Sequence, residues 1–378
     1  MMLGDAGAEV IKVEPPGGDD TRKWGPPYIG GEAAYYLSCN RNKRSIALDL
    51  GRPEGREVVL RLIAQADVVI ENFKLGTMER WGLGYEDVLK TRNPRLVYCN
   101  ISGFGRTGPY AHIPGYDFVV QAMGGLMSIT GEPEGDPLKV GVAVTDLTTG
   151  MMAAFGITAA LHHRDQTGTG QRVDVSLLET QVAWLANVAS NYLVSGKAPG
   201  RLGNAHPNIV PYQAVEARDR QLVVAVGNDQ QFQRFCDLLG LPDLAHDPRF
   251  ATNPARVANR AALLAIIAPV LRTREADEWI ALLWERGIPG GPINSVDRVF
   301  QDPQVRHREM VQEMDHPTAG KVAQVGIPIK FSETPGALRR HPPLLGEHTA
   351  DVLAELGFSE TEMVGLMASG VAIRGGTK

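Results

Sequence analysis

The chain has 378 residues, of which 43% are hydrophobic and 21% charged, with a formal net charge of −5. This is the composition of a globular protein long enough for about two to three domains, and it excludes the broad basic face that nucleic-acid binding requires. Cys39, Cys99 and Cys236 are odd in number and widely spaced, which suits reduced packing thiols in a reducing compartment better than a disulfide or zinc framework.

In chain order, residues 1–7 read as the end of a helix and 9–14 as a strand stopped by Pro15 and Pro16. A Gly/Pro/Asp loop over 17–27 carries Arg22 and Trp24. Residues 44–50 alternate like a strand, 53–65 form an amphipathic helix with Pro in its first turn, and ADVVIENF is an apolar strand ending at Asn72 and Phe73. A helix around 85–90 and the strand LVYCNISGFG repeat the pattern, which predicts a parallel βαβ sheet. Ligands bind such sheets beyond the carboxyl ends of the strands, so Asn72, Phe73 and the Gly103-Phe104-Gly105 turn are candidate site positions. GFGRTG lacks the G-x-G-x-x-G spacing and no G-x-x-x-x-G-K-[ST] occurs, so neither a dinucleotide fingerprint nor a phosphate loop is present.

The stretch 140–179 is predicted as a strand (Val140, Val142 and Val144 on alternate positions), Asp146 at a turn, a helix apolar on every face over 151–161, a glycine turn and a second strand. A carboxylate at that point faces the positive end of the helix dipole and free N–H groups that keep it ionised. It is either a cap or a nucleophile. The apolar run is too short to span a bilayer and ends in His162 and His163, and no basic stretch followed by an apolar one opens the chain. A long helix over 177–194 leads into a Gly/Pro/Asn-rich linker and a second domain. That domain has a strand at 221–226, helices at 230–239, 261–271 and 276–286, and a turn, GIPGGPI. Short strands, a Pro-rich stretch and one or two helices follow, and the tail GGTK is expected to be disordered. The predicted organisation is a large domain from 1–195 and 318–378, a small α/β domain over 206–300, and linkers at 196–205 and 301–317.

Among nine histidines only His162 and His163 are close, and neighbours on a helix face apart, so no metal site is expected. There is no G-x-S-x-G elbow and no cysteine in a recognisable catalytic setting. Trp24, Tyr35 and Tyr116 read equally as pocket walls or as core and rim residues.

Taken together, GAEVIKVE, the Asp20-Thr21-Arg22-Lys23-Trp24 loop, NKRSIALDL, ADVVIENF, ISGFGRTGPY, GYDFVVQAMGG, VAVTDLTTG, QTGTGQ and PPLLGEHT resemble the class III, formyl-CoA-transferase-like (CaiB/BaiF type) CoA-transferases over nearly the whole chain. GNAHPNIVPYQA, VGNDQQF, IPGGPIN and MDHP resemble the succinyl-CoA:glutarate branch. The resemblance implies an α/β fold with a large doubly wound Rossmann-like parallel-sheet domain, a smaller α/β domain and an interlocked homodimer. It implies that Asp146 is the nucleophile, that Leu48, Asn72, Phe73 and Arg80 hold CoA, and that Trp24, Tyr35 and Tyr116 surround the acyl group. Gly203 and His206 then lie in a flap. Arg22, Arg201 and His206 are the candidates for the distal carboxylate of a dicarboxylic acid. The implied substrates are a CoA thioester and a free carboxylic acid, with no permanently bound cofactor, no metal, no nucleic acid and no membrane. The implied location is the cytoplasm, or the mitochondrial matrix for a eukaryotic source.

Two rivals stay open at this point. Acyl-CoA racemases of the same fold carry a His where this chain has Tyr116, and a Tyr of ordinary pKa, about 10, is a poor base at neutral pH. A non-catalytic acyl-CoA binder would not need Asp146. Relatives begin about one strand earlier, so this sequence predicts a sheet edge left unpaired.

Overall fold

The computed structural model describes residues 1–375. The chain forms two compact units, one from Met1–Val120, Val144–Thr180 and the chain from Phe300 onward, the other from Gln121–Ala143 and Gln181–Val299.

In the first unit, β1 (Val10–Glu14) is followed by helix α1 (Ala34–Cys39), β2 (Lys43–Leu48), α2 (Pro53–Gln65), β3 (Val68–Glu71) and β4 (Val97–Ser102). Helix α3 (Asp117–Met123), the long helix α4 (Val144–Thr167) and β5 (Arg172–Ser176) come next. The parallel pairing expected from the strand–helix alternation is present, but in two three-stranded sheets rather than one. β1 pairs with β2, Val10 opposite Lys43, and the short C-terminal strand Ala372–Ile373 runs antiparallel to β2. β3, β4 and β5 are all parallel, with Val68 opposite Val97 and Tyr98 opposite Arg172. Among the described residues, β1 and β3 each keep one edge without a strand partner. Ile11 and Val13 of β1 and Val69 of β3 nevertheless pack on one core cluster built from Ile46, Leu48, Val58, Leu96, Tyr98 and Leu353. β2 is buried from Arg44 to Leu48 on both faces, so its alternation in sequence does not mark a solvent face.

α4 departs from its prediction in three ways. Residues 140–143 form no strand, and the Val140 N–H donates to Gln121 Oε1 at 2.9 Å instead. A period-2 pattern without a sheet partner gives no strand. The helix has 24 residues and is, by length and composition, long and apolar enough to cross a membrane, although the apolar run alone looks too short. Nor is it enclosed all round. Ala153, Ile157 and Ala160 pack on Val97, Cys99 and Val173 of the sheet, whereas Leu147, Met151 and Phe155 are exposed in the single chain.

The predicted long helix over 177–194 is two helices, α5 (Leu177–Ala183) and α6 (Ala186–Ser195), broken where Ala186 takes φ +45°. Beyond them the second unit has an antiparallel sheet of β6 (Tyr212–Glu216), β7 (Gln221–Ala225) and β8 (Gly290–Pro292), with β7 in the middle. The GIPGGPI stretch expected as a turn thus supplies a strand, and Gly290 fits there because a Cβ would stand 2.7 Å from Leu283 Cδ1. Three helices, Asp229–Leu238, Arg260–Leu271 and Ala276–Glu285, cover the sheet with Phe232, Phe235, Leu263 and Trp279. Of the GGTK tail, residues 376–378 lie outside the described residues.

Candidate active site

Asp146 sits in the first turn of α4, where the helix leaves N–H groups without intrahelical acceptors. One of these, on Thr145, donates to Asp117 Oδ1 at 2.8 Å. Position 143 is Ala, which cannot cap, so the cap comes from Asp117, distant in sequence. The Asp146 side chain is open to solvent on one side and crowded by protein on the other. Desolvation, and after it the charge of Asp117, pushes its pKa up to about 6. The helix dipole favours the carboxylate and desolvation disfavours it, and the net direction is upward. At neutral pH the group is still mostly ionised and is more basic than an ordinary Asp.

Asp117 is held from beneath. The carboxyl end of β4 runs into Gly103, and Gly103 meets Gly115 backbone to backbone, since a Cβ on Gly103 would lie 2.7 Å from Gly115 Cα. The Leu178 N–H donates to Gly103 O at 3.0 Å, and Phe104, Val120 and Leu177 form a small core under the junction. Tyr116, beside Asp117, is 69% exposed. Tyr35 of α1 makes an edge-to-face contact with Trp24, ring centroids 5.0 Å apart. Burial raises the Tyr35 pKa, and Cys39, Asp146 and Asp117 add to the rise, so a neutral phenol stands within electrostatic reach of the two carboxylates. The structure thus gathers Asp146, Asp117, Tyr35 and Trp24.

The positions proposed to bind CoA differ among themselves. Asn72, just past β3, donates from Nδ2 to Ile101 O of β4 at 2.7 Å, and the Phe73 N–H donates to Glu71 Oε2 at 2.7 Å. Phe73 lies edge-to-face on Trp81, 5.1 Å between centroids, and stays half-exposed. Arg80 ends the short helix Thr77–Arg80, and its guanidinium donates to Thr77 Oγ1 at 2.8 Å. Leu48 is 1% exposed in the core, so its side chain faces the cluster around Ile46 and Val58 rather than solvent.

The three candidates for a distal carboxylate are already engaged. Arg22 Nε and Nη2 donate to Glu14 at 2.8 Å each, Nη1 donates to Glu32 at 3.2 Å, and Nη2 also reaches Tyr36 Oη. A guanidinium so saturated is a structural tie, which corrects its reading as a substrate residue. In the second unit, Arg201 donates to the carbonyls of Glu132, Pro133 and Gly135. Gly203 has φ +57°, its N–H donates to Gly131 O at 3.0 Å, and a Cβ there would stand 2.9 Å from Glu132 Oε2. His206 Nδ1 accepts from the Asn208 N–H at 3.0 Å, its ring lies 5.2 Å from that of Tyr212, and burial together with Arg260 lowers its pKa. Both influences favour the neutral ring of His206. Arg260 Nη2 grips His206 O at 2.6 Å, while its Nη1 is buried without a partner.

A family model, CoA-transferase family III, matches residues 1–349 of this sequence. The chain belongs to the family III CoA-transferases. It is 50% identical to the succinate–glutarate CoA-transferase of Agrobacterium fabrum, over 94% of this chain and 90% of that protein. It is 46% identical to the succinyl-CoA:glutarate CoA-transferase of Homo sapiens, over 98% and 85% respectively. The crystal structure of a CAIB/BAIF family protein from Brucella suis, 51% identical, matches with a TM-score of 0.81 over 94% of this chain and 93% of that one. A family III CoA-transferase is an enzyme that works on CoA thioesters.

Sequence reading missed the contacts that Asp117 and Arg260 make. Asp117 stood in plain view in the Gly115-Tyr116-Asp117 motif, but with the helix expected only from 151 nothing in the sequence marked Thr145 as a helix N–H in need of a cap. Arg260 carries no local signal, because its relation to the 206–208 loop exists only in the fold.

Proposed function

We propose that this CoA-transferase moves CoA from succinyl-CoA to a free dicarboxylic acid such as glutarate, with Asp146 as nucleophile. The observation that carries this reading is the Asp146 carboxylate, more basic than usual, at the start of α4 within electrostatic reach of Tyr35, whose ring packs on Trp24. Its carboxylate attacks the acyl carbonyl, and the C–S bond breaks as CoA leaves with the electron pair, giving a mixed anhydride. The thiolate attacks the Asp146 carbonyl, expelling succinate and leaving an aspartyl-CoA thioester. The incoming acid attacks this thioester carbonyl, the C–S bond breaks with release of the CoA thiolate, and a second anhydride forms. The thiolate then takes the new acyl group and frees Asp146. No net proton is moved, and N–H groups of the helix's first turn offer donors to the oxyanions.

In the same reading Asn72, Phe73 and Arg80 bind CoA, with Leu48 backing them from the core, and Trp24, Tyr35 and Tyr116 wall the acyl pocket. The 203–206 loop with Gly203 and His206 is a flap that keeps water from the anhydride. The expected large and small domains assemble as an interlocked homodimer, and the exposed apolar side chains on α4, Leu147, Met151 and Phe155, support an assembly that covers them. No permanently bound cofactor, nucleic acid or membrane takes part, and the place of action is the cytoplasm or a mitochondrial matrix. Both the protein and Asp146→Asn should be incubated with succinyl-CoA and a panel of dicarboxylic acids, following acyl-CoA products by mass. Glutaryl-CoA formed by the first and absent with the second supports the reading, whereas equal activity in the two refutes the role of Asp146.

A further inference from the structure

The pairing of two carboxylates at the start of α4 reaches beyond the nucleophile itself. We propose that Asp117 is a positioning residue for CoA transfer, anchoring the first turn of α4 through the Thr145 N–H and holding a negative charge beside Asp146 that favours acylation of Asp146. This rests on the reading of Asp146 as nucleophile.

The geometry has two parts. The 2.8 Å bond from the Thr145 N–H to Asp117 Oδ1 fixes the peptide that leads directly into Asp146. Thr145 is fully buried and Asp117 half-buried, so this anchor is set partly into the packed interior. Asp117 is itself fixed, because the preceding Gly115 abuts Gly103 and the following Val120 is 0% exposed. An N-cap as such needs no charge, since Ser, Thr or Asn serve as well as Asp. A carboxylate here imposes an electrostatic cost on its neighbour that a neutral cap would avoid.

That cost has a chemical use. Among the described residues Asp146 has no ion pair, and Asp117 is the charge that acts on it, while Tyr35 contributes a neutral phenol. When Asp146 Oδ bonds to the acyl carbon and the C–S bond breaks, the Asp146 charge passes to the departing thiolate. The same holds when the thioester forms, as the charge leaves on the expelled acid. Each covalent state therefore removes a like-charge repulsion next to Asp117, and the free carboxylate is correspondingly more nucleophilic. Crowding by Asp117 and burial act in the same direction.

The test compares Asp117→Asn, which keeps an oxygen for the Thr145 N–H and loses the charge, with Asp117→Ala, which loses both. Two readouts are needed on the full chain, the pH profile of kcat/KM and the fraction of protein carrying CoA by intact mass after mixing with succinyl-CoA. For Asp117→Asn we expect a Tm no lower than that of the wild type, an acid limb moved down by about one pH unit, roughly tenfold lower kcat above pH 7, and a smaller CoA-bearing fraction. A wild-type acid limb and adduct fraction in Asp117→Asn, with only Asp117→Ala losing Tm, would reduce Asp117 to a cap and overturn the proposal. Full activity in Asp146→Asn, with no adduct on the wild type, would overturn the nucleophile assignment instead, and Asp117's role with it.

Discussion

Arg22 and Glu14 form a two-pronged ion pair, Nε to Oε2 and Nη2 to Oε1, each at 2.8 Å, with Glu14 1% exposed at the end of β1. Ser45 Oγ on β2 donates to Glu14 Oε1 at 2.7 Å, and the Arg22 guanidinium lies 3.9 Å from the centre of the Tyr36 ring. The pair therefore ties the 17–27 loop, with Trp24 at its end, to the sheet. Burial alone pushes the Glu14 pKa up, but the bonds from Arg22 and Ser45 and the charges of Arg22 and Lys12 outweigh it and hold it below its ordinary 4.5.

Replacing Arg22 by Met leaves Glu14 buried without its partner. Breaking a buried pair in this way costs about 3–5 kcal/mol. Because the folded pKa is depressed, the pair's contribution is present above the unfolded value and is lost as pH falls through the folded one. The Tm deficit of Arg22→Met should then be large at pH 7 and shrink below the ordinary carboxylate range. A deficit that is small at pH 7, or that does not change with acid, would show that the pair contributes little.

Asp146 has the opposite sign. Its folded pKa, about 6, lies above the ordinary value of 3.8, so the folded state is favoured while the group is protonated and loses that advantage as pH rises to about 6. Asp146→Asn removes the charge at every pH. Its Tm should match the wild type near pH 4, rise above it between there and pH 6, and keep a constant lead at higher pH. The same group sets the acid limb of wild-type kcat/KM, which should fall about tenfold per unit below pH 6. Thermal melts across pH, with a pH–rate profile, check both. A variant less stable than wild type at pH 7 would contradict the desolvation seen here.

These relationships mark where sequence stopped being legible. The helix over 53–65 and the strands at β1, β3 and β4 could be read because local period and Pro placement decide them. Motifs placed Asp146, Tyr35 and Trp24, and the fold brings them together. What could not be read depends on partners far along the chain. Arg22 looked free until Glu14, Tyr36 and Pro343 O closed around it. Val140, Val142 and Val144 looked like a strand because nothing local says whether a sheet edge waits for them. The exposed face of α4 reads as core in composition, since apolar side chains that stay exposed on one chain and those that pack inside it are alike in sequence.

The Gly103–Gly115 junction is the most direct link between the sheet and Asp117. An Ala at 103 would put Cβ 2.7 Å from Gly115 Cα, and an Ala at 115 would put it 2.6 Å from Gly103 Cα, so either forces the backbones apart. Overpacking of this kind costs about 1–3 kcal/mol. Each single Ala variant should lose stability in denaturant melts and should lower kcat by more than it raises KM for CoA, since it displaces Asp117 and the turn before Asp146. The double variant should cost less than the sum, because both strain the same contact. Wild-type kcat in both single variants would separate this junction from the chemistry.

The exposed face of α4 gives the last prediction. Phe155 is 73% exposed in the single chain, on the same helix as Asp146 and pointing away from Ala153 and Ile157, which pack on the sheet. A solvent-facing Phe contributes little to the fold of one chain, so Phe155→Asp should change monomer stability by no more than about 0.5 kcal/mol. If α4 is covered by a second copy, the same substitution buries a charge in an apolar interface and should shift the protein toward monomer in light scattering. Loss of activity in step with loss of the dimer, regained at high protein concentration, would tie the assembly to the site at the start of the helix. A wild type that scatters as a monomer, or a Phe155→Asp variant that remains a dimer, would remove α4 from the interface.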